Sequence, residues 1–288
     1  MANNSRLGIL YLVGTPIGNL EDITLRAIRI LKEVDLIAAE DTRRTGKLLQ
    51  HLQIDTPQIS YHAHNHNSRI LDLVARLQKG QQIALVTDAG MPSISDPGAE
   101  LVQGAISAEI QVIPIPGGTA AISALAVSGL PTERFIFEGF LPLKDHERKE
   151  RLELLRHETR TVVFYEAPHR ILKTLTDLQT VLGADRQIVL ARELTKIHEE
   201  LWRGTIGNAI ALYTTDRQPK GEYTLVLQGA IGETHLMMSE AELKTELQQL
   251  LAQGMTRSQA SRHLAKSTSL SRREIYQLAL DNVGATSN

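Results

Sequence analysis

The sequence predicts an α/β protein: two α/β domains followed by a small C-terminal all-helical domain. Three observations carry this reading. Over the first 130 residues, short apolar runs alternate with helical patterns, as in a parallel sheet covered on both faces. A second set of apolar runs lies between Thr161 and Leu227, and after Gly232 the pattern turns helical. The 288 residues allow roughly two domains, each with its own core. The expected divisions are 1–115, 116–232 and 233–288.

The first domain repeats one grammar: apolar run, polar or glycine-rich turn, helix. Ile9 to Val13 precedes the turn Gly14 to Asn19, and Leu36 to Ala39 precedes Glu40-Asp41-Thr42-Arg43. Gln58 to Tyr61 leads into His62 to Asn65, Ile83 to Val86 into Thr87 to Pro92, and Ile110 to Ile115 into Pro116 to Ala120. Leu25, Ile28 and Leu31 mark one face of the first helix, and Leu71, Val74 and Leu77 one face of the third. The chemically unusual residues all follow strands, at the carboxyl edge where open α/β sheets bind ligands. Turns also need polar and glycine residues, so each loop alone is weak evidence; five loops on one edge are stronger.

Residues 131–160 read as a connection, with an apolar run from Phe135 to Leu141 and a mixed-charge helix from Lys144 to His157. Strands are expected at Thr161 to Tyr165, Ile188 to Ala191 and Tyr223 to Leu227, with no readable direction. The tail predicts helices over Glu240 to Gln253, Thr256 to Lys266 and Ser271 to Leu280, the last opened by a Ser271/Glu274 capping box. The last two helices fit a helix-turn-helix. Between Gly254 and Arg273 stand Arg257, Arg262, Lys266, Arg272 and Arg273 with no acidic residue. A solvated helical cap is the plainer alternative to a nucleic-acid contact.

Overall charge gives no sign of a polyanionic partner, since 31 Lys+Arg face 33 Asp+Glu. The absence of cysteine excludes disulfides, thiolate zinc sites, iron–sulfur clusters and a cysteine nucleophile. Leu7 to Val13 reads as a strand and not a signal peptide, and no apolar stretch has the length of a membrane span. A cytoplasmic protein is expected. Gly14 to Gly18 lacks the dinucleotide-binding spacing, and Gly46-Lys47 lacks the remainder of a P-loop. The small-residue loops Asp88 to Pro92 and Pro116 to Ala120 instead suit a bulky, mostly neutral cofactor approached closely by backbone. His62, His64 and His66 alternate without a carboxylate at matching spacing, so no metal is expected. Glu40, Asp41 and Arg43 offer two carboxylates and a guanidinium, with a helix N-cap as the plain alternative.

Seven segments carry a resemblance: Tyr11 to Leu20, Ala39 to Arg43, His62 to Asn65, Val86 to Gly98, Gly139 to Pro142, Phe164 to Arg170 and Ala191 to Lys196. Together they resemble the ribosomal-RNA methyltransferases of the tetrapyrrole methylase fold family, over essentially the whole chain. The resemblance implies two α/β domains of tetrapyrrole methylase type with S-adenosylmethionine in the cleft between them, usually as a homodimer. It also implies 2′-O-methylation of a cytidine ribose in the decoding region of 16S rRNA, as naked RNA or in the assembled small subunit.

By motif position the implied cofactor residues are Gly14, Pro16 and Gly18, then Asp88, Ala89, Gly90 and Pro92, then Pro116, Gly117, Thr119 and Ala120, with Glu166. Met91, Gly118 and Thr119 depart from the residues common in the family. The candidate catalytic residues are Glu40 or Asp41 for proton removal or ribose orientation, Arg43 for a phosphate, and His64 as a competing base. Without a thiol, transfer to a hydroxyl must be a direct displacement. Two alternatives remain at this point: C-methylation of a tetrapyrrole precursor, and a metabolite-sensing nucleic-acid-binding protein.

Overall fold

A computed structural model describes residues 7–63, 66–215, 218–230, 240–267 and 270–281. In chain order the elements are β1 (Ile9–Val13), α1 (Leu25–Glu33), β2 (Leu36–Ala39), α2 (Thr42–His51), β3 (Gln58–Ser60), α3 (His66–Gln78), β4 (Ile83–Val86), α4 (Ala99–Ser107) and β5 (Gln111–Ile115). There follow α5 (Ala120–Ser128), β6 (Phe135–Phe140), α6 (Asp145–Leu154), β7 (Thr161–Glu166), α7 (Ile171–Leu182), β8 (Gln187–Arg192), β9 (Glu200–Thr205), α8 (Ile206–Thr215) and β10 (Tyr223–Leu227). The last helices are α9 (Glu240–Ala252), α10 (Arg257–Ser267) and α11 (Arg272–Asp281). Cα packing divides the chain into a unit ending at Gln228 and a unit beginning at Gly229.

The larger unit holds both sheets. The first is wholly parallel in the order β3-β2-β4-β1-β5. Its strands β2 and β4 are buried along their whole length, which is why they read as continuous apolar runs. Tyr11, Val13, Ile37, Ala39, Ala84 and Val86 face one layer with Ala27, Ile30 and Leu31 of α1. Leu10, Leu36, Ala38, Ile83 and Leu85 face the other, against Leu73 and Leu77 of α3 and Leu101 of α4. Leu25 and Leu71, expected on the apolar faces, are exposed; the buried stripes run through Ala27-Ile30-Leu31 and Leu73-Leu77 instead.

The second sheet has the order β6-β7-β10-β8-β9. Only β6 and β7 run parallel; β10 is antiparallel to β7 and β8, and β8 to β9. Val162, Phe164, Ile188, Leu190, Leu225 and Leu227 pack on α6, α7 and α8, while Val163, Val189, Ala191 and Val226 pack on α5. The run from Phe135, expected within a connection, is the edge strand β6. The strand β9 and the helix α8 were not anticipated from the sequence.

In the smaller unit, Leu243, Leu247 and Leu250 of α9 form a core with Ala260 and Leu264 of α10 and Ile275 and Ala279 of α11. The expected capping box is present: the Ser271 backbone N–H donates to Glu274 Oε2 at 2.7 Å, and the Glu274 N–H to Ser271 Oγ at 3.3 Å. Thr256 and Gln259 form a second such pair at the start of α10. Arg262, Arg272 and Arg273 are exposed. No described helix is long and apolar enough to cross a membrane.

Candidate functional site

Loops at the carboxyl ends of β1, β4 and β5 are tied into one platform. The Thr15 N–H donates to the Gly90 carbonyl at 3.0 Å and the Gly90 N–H returns to the Thr15 carbonyl at 3.1 Å. Thr15 Oγ1 donates to the Thr87 carbonyl at 3.1 Å. Gly14 and Gly117 pack backbone to backbone: a Cβ on Gly117 would stand 2.8 Å from Gly14 Cα. Gly18 lies against Thr195 and Lys196 of the loop after β8, where the Asn19 N–H donates to Thr195 Oγ1 at 3.0 Å. These glycines permit close approach of chain segments.

Above the platform, between the two sheets, is a cavity of about 300 Å³, at the lower end of small-molecule sites. From the first sheet's loops come Ile17, Ala89, Gly90, Met91, Ile94, Ser95, Asp96, Thr119 and Ala120. The second sheet contributes Phe140, Tyr165, Glu166, Ala191, Leu194, Tyr223 and Thr224, among others. Of the expected cofactor residues, Ala89, Gly90, Thr119, Ala120 and Glu166 therefore line it. Gly14, Gly18 and Gly117 build the platform, and Pro16, Asp88, Pro92 and Pro116 belong to the same loops without lining the cavity.

Part of the lining offers backbone groups and a free hydroxyl to a small molecule. Gly90 has φ +84°, which side chains rarely adopt, and presents bare backbone to the space. Thr119 is the N-cap of α5 but its side chain makes no capping bond, leaving the hydroxyl and the first-turn N–H groups for a ligand. One of these donors is already used: the Ala121 N–H bonds Tyr165 Oη at 3.3 Å. Tyr165 packs on Phe137 and Phe140 at ring-centroid distances of 5.1 and 5.6 Å. That aromatic wall was invisible as a sequence motif, because its members come from two strands.

The expected catalytic residues are mostly engaged elsewhere. Asp41 is the N-cap of α2, accepting from the Arg43 N–H at 2.9 Å and from Arg43 Nε and Nη2 at 3.0 and 2.7 Å. The Arg43 guanidinium and N–H hold its carboxyl well below the usual carboxylate range, which makes it a poor base. Arg43 is itself exposed but committed to Asp41. Glu40 Oε2 accepts from the Asp88 N–H at 3.2 Å, and Asp88 Oδ2 pairs with Arg44 at 3.2 Å. Asp88 Oδ1 is buried without a hydrogen-bond partner among the described residues. His64 and Asn65 lie outside the described residues. Among the described residues no group of three His, Cys, Asp or Glu could hold a metal ion.

Glu166 is buried, and its carboxylate faces a charged network. It accepts from Thr174 Oγ1 and from the Ala167 N–H, with Arg170 Nε 3.5 Å away. Lys196 at the cavity wall bridges Glu193 and Glu222 at 2.9 Å each. Burial alone would lower its pKa, but these two carboxylates more than reverse the shift and hold it charged.

Asp96, within the Val86 to Gly98 segment, also lines the cavity. Burial, and then the charges of Glu40 and Asp88, push its carboxyl up to about 7. No sequence motif of its own marks it; in the structure the nearby Ser93 and Ser95 adopt φ of 72° and 61°, which non-glycine residues seldom do.

Comparisons with known proteins place this geometry. Residues 9–210 match the family model described as Tetrapyrrole (Corrin/Porphyrin) Methylases. A protein of Synechocystis sp. named ribosomal RNA small subunit methyltransferase I is 61% identical over 275 residues, covering 96% of this chain and 98% of that protein. Proteins of the same name from Pasteurella multocida and Bacillus subtilis are each 44% identical, over 97% and 94% of this chain and 99% and 94% of their own. Among solved structures, uroporphyrin-III-C-methyltransferase from Thermus thermophilus matches with TM-score 0.55 at 20% identity, covering 77% of this chain and 94% of its own. Cobalt precorrin-4 methyltransferase matches equally in TM-score at 16% identity, over 76% of this chain and 94% of its own; both show the fold. With its paired sheets, its cavity and these full-length likenesses, the chain belongs to the tetrapyrrole methylase family, in the branch of the ribosomal RNA small subunit methyltransferase I proteins.

Proposed function

We propose that the protein methylates the 2′-hydroxyl of a cytidine ribose in the decoding region of 16S rRNA, using S-adenosylmethionine. The observation that carries this is the extent of the likeness. The family model stops at residue 210, yet the 275-residue match to a relative named for ribosomal RNA must run into the helical unit beyond it. The tetrapyrrole methyltransferase structures cover 77% of the chain or less. The likeness to the relative named for rRNA thus extends beyond the tetrapyrrole methylase model into the helical unit.

S-adenosylmethionine supplies an electrophilic methyl group on a sulfonium centre. Gly90, Ala89, Thr119 and Ala120 would hold it through backbone groups and the Thr119 hydroxyl, with Met91, Ala191 and Leu194 as apolar walls. The protein's own work is to align the ribose oxygen, exclude water and take up a proton. Alignment can supply a large share of the barrier reduction. In the division into 1–115, 116–232 and 233–288, the platform draws on the first two segments, the opposite wall on the second and the RNA contact on the third. We take the protein to act as a cytoplasmic homodimer, for which exposed Ile122 and Val127 on α5 offer apolar surface.

Labelled S-adenosylmethionine incubated with small ribosomal subunits, naked 16S rRNA and a tetrapyrrole precursor tests the reading. The label should appear on one cytidine 2′-oxygen of the rRNA. Label in the tetrapyrrole alone, or on an RNA base, would sink it. A second expectation concerns α10 and α11. Changing Arg262, Arg272 and Arg273 together to alanine should weaken RNA binding and reduce the slope of log affinity against log salt by about 2, taking single-strand counterion release per phosphate. Cofactor affinity should not move. An unchanged salt slope would remove these arginines from the RNA contact.

A further inference from the structure

We propose that Phe140 is the stacking surface for the base of the target nucleotide, which reaches the cavity unstacked from its neighbours in the RNA. The inference rests on the RNA methyl-transfer reading above and adds to it the residue that receives the substrate. Most apolar side chains lining the cavity are buried or half-buried; two large ones are exposed, Phe140 at 52% and Ile94 at 49%. A single exposed apolar residue is ordinary on a protein surface. What sets Phe140 apart is how it is mounted.

Strand β6 pairs with β7 through Phe137 and Val163, then through Gly139 and Phe164 and through Phe140 and Tyr165, so Glu138 is the extra residue of a bulge. In a regular strand, residues three apart point to opposite faces. The extra residue cancels that alternation and puts Phe137 and Phe140 on one face, both against Tyr165. Gly139 takes the bend with φ +64°. On the other side of Phe140, Leu141 is buried and its carbonyl accepts from Arg170 Nη2 at 2.9 Å. Tyr165 is fixed in turn, its hydroxyl oxygen accepting from the Ala121 N–H of α5. Phe140 thus stands on a built support, packed on one side and open at the cavity on the other.

The reaction determines the occupant. A cavity of about 300 Å³ is at the lower limit for one small molecule and has no space for a second nucleoside beside the methyl donor. The substrate ribose must nonetheless come to the transferred methyl group, so its base lies at the mouth. A base stacked in an RNA helix cannot follow its ribose there. An unpaired one can, and proteins take such bases between aromatic and apolar side chains. Ile94 comes from the loop after β4 and Phe140 from β6, and these segments meet: a Cβ on Gly139 would stand 3.2 Å from Ser95 Oγ. The two exposed side chains flank that contact, one from each wall. Stacking accepts any base, so Phe140 positions the nucleotide and does not choose it.

Phe140→Ala, Phe140→Leu, Phe140→Tyr and Phe140→Trp are compared with wild type in three measurements. These are single-turnover methylation against the concentration of the RNA substrate that wild type labels, small subunits or naked 16S rRNA, at saturating cofactor; cofactor affinity by calorimetry; and melting temperature. Phe140→Ala and Phe140→Leu should raise the half-saturating RNA concentration by about 5- to 150-fold, the usual worth of one base–aromatic stack. Cofactor affinity should stay within a few-fold and melting within a few degrees. Phe140→Tyr and Phe140→Trp should stay close to wild type.

Phe140→Leu keeps most of the apolar volume and carries the test if Phe140→Ala loses stability. Three results overturn the inference. If Phe140→Leu serves as well as Phe140→Trp, packing and not stacking is what matters. If the variants lose cofactor affinity in parallel with activity, the ring belongs to the adenine of S-adenosylmethionine. If no variant shifts the RNA dependence, Phe140 does not touch the substrate. Each leaves RNA methylation standing, whereas a wild-type protein that labels no RNA overturns that reading and the inference together.

Discussion

Arg148→Ala is expected to destabilise the protein by about 3 to 5 kcal/mol, the usual cost of removing one partner from a buried ion pair. Arg148 is a fully buried charged side chain on α6, only 2% exposed. Its Nε donates to Asp177 at 2.6 Å and its Nη2 to Thr174 Oγ1 at 2.6 Å, and Thr174 in turn donates to Glu166. Removing the guanidinium leaves the buried Thr174 hydroxyl and the part-exposed Asp177 carboxylate beside an empty volume. Asp177 keeps Lys173 at 3.2 Å and some water, so the lower half of the range is the better expectation. The buried face of α6 consists of Arg148 and Leu152, so the helix has little else to hold it on α7.

The effect should reach the cavity. Glu166 and Tyr165 are neighbours at the end of β7, and Glu166 is the far end of the network that begins at Arg148. Chemical denaturation should show the loss of stability, and calorimetry a weaker cofactor. Arg148→Met paired with Asp177→Leu separates charge from volume: an apolar replacement of both partners should recover much of the stability, as buried pairs often allow. A single Arg148→Ala that costs under about 1 kcal/mol would show the network to be solvated.

How much of this was legible in the sequence depends on how local each feature is. β2 and β4 announce themselves because both faces are buried, so every residue is apolar. β9, with the sequence Glu200-Leu-Trp-Arg-Gly-Thr205, is an edge strand whose residues are half-buried or exposed, and it has no such signature. β6 passed for a connection because Gly139 bulges it and Phe135 and Phe140 are exposed. In the helical unit, capping residues three apart are short-range chemistry, and Ser271 and Glu274 were readable.

The site divides the same way. Glycine loops after strands are local signals, and they lie at the cavity or directly beneath it. The state of Asp96 depends on Glu40 from the loop after β2 and on Asp88 at the start of its own loop, and Arg148 looks like one more charge in a mixed-charge helix until α7 packs on it. Asp41 shows the converse. Its two readings, base or N-cap, could not be separated by residue type, and hydrogen bonding places it as the cap.

Gly117→Ala is expected to lower cofactor affinity by at least about tenfold, equivalent to about 1.4 kcal/mol, with a stability loss of about 1 to 3 kcal/mol from overpacking. The cause is space, since neither Gly14 nor Gly117 has the positive φ that would itself demand glycine. A Cβ on Gly117 would lie 2.8 Å from both Cα and C of Gly14 and 2.9 Å from its carbonyl oxygen. All three are backbone atoms, so no side chain can swing aside. The loops after β1 and β5 must part, and Thr119 and Ala120, two and three residues further on, move with them. Gly14→Ala should act alike, since its Cβ would meet Gly117 Cα and N and the Met91 sulfur at 2.7 Å.

Gly118→Ala is the internal control. Its Cβ would meet only Ile17, at 3.8 Å, an ordinary contact, and its φ is not in the left-handed region. Melting temperature should barely change. If Gly117→Ala and Gly118→Ala weaken cofactor binding equally while both leave stability intact, the glycine pair acts by touching the ligand. A large loss in Gly117→Ala, with Gly118→Ala retaining the fold, assigns Gly14 and Gly117 to the contact between loops on which the cavity floor is built.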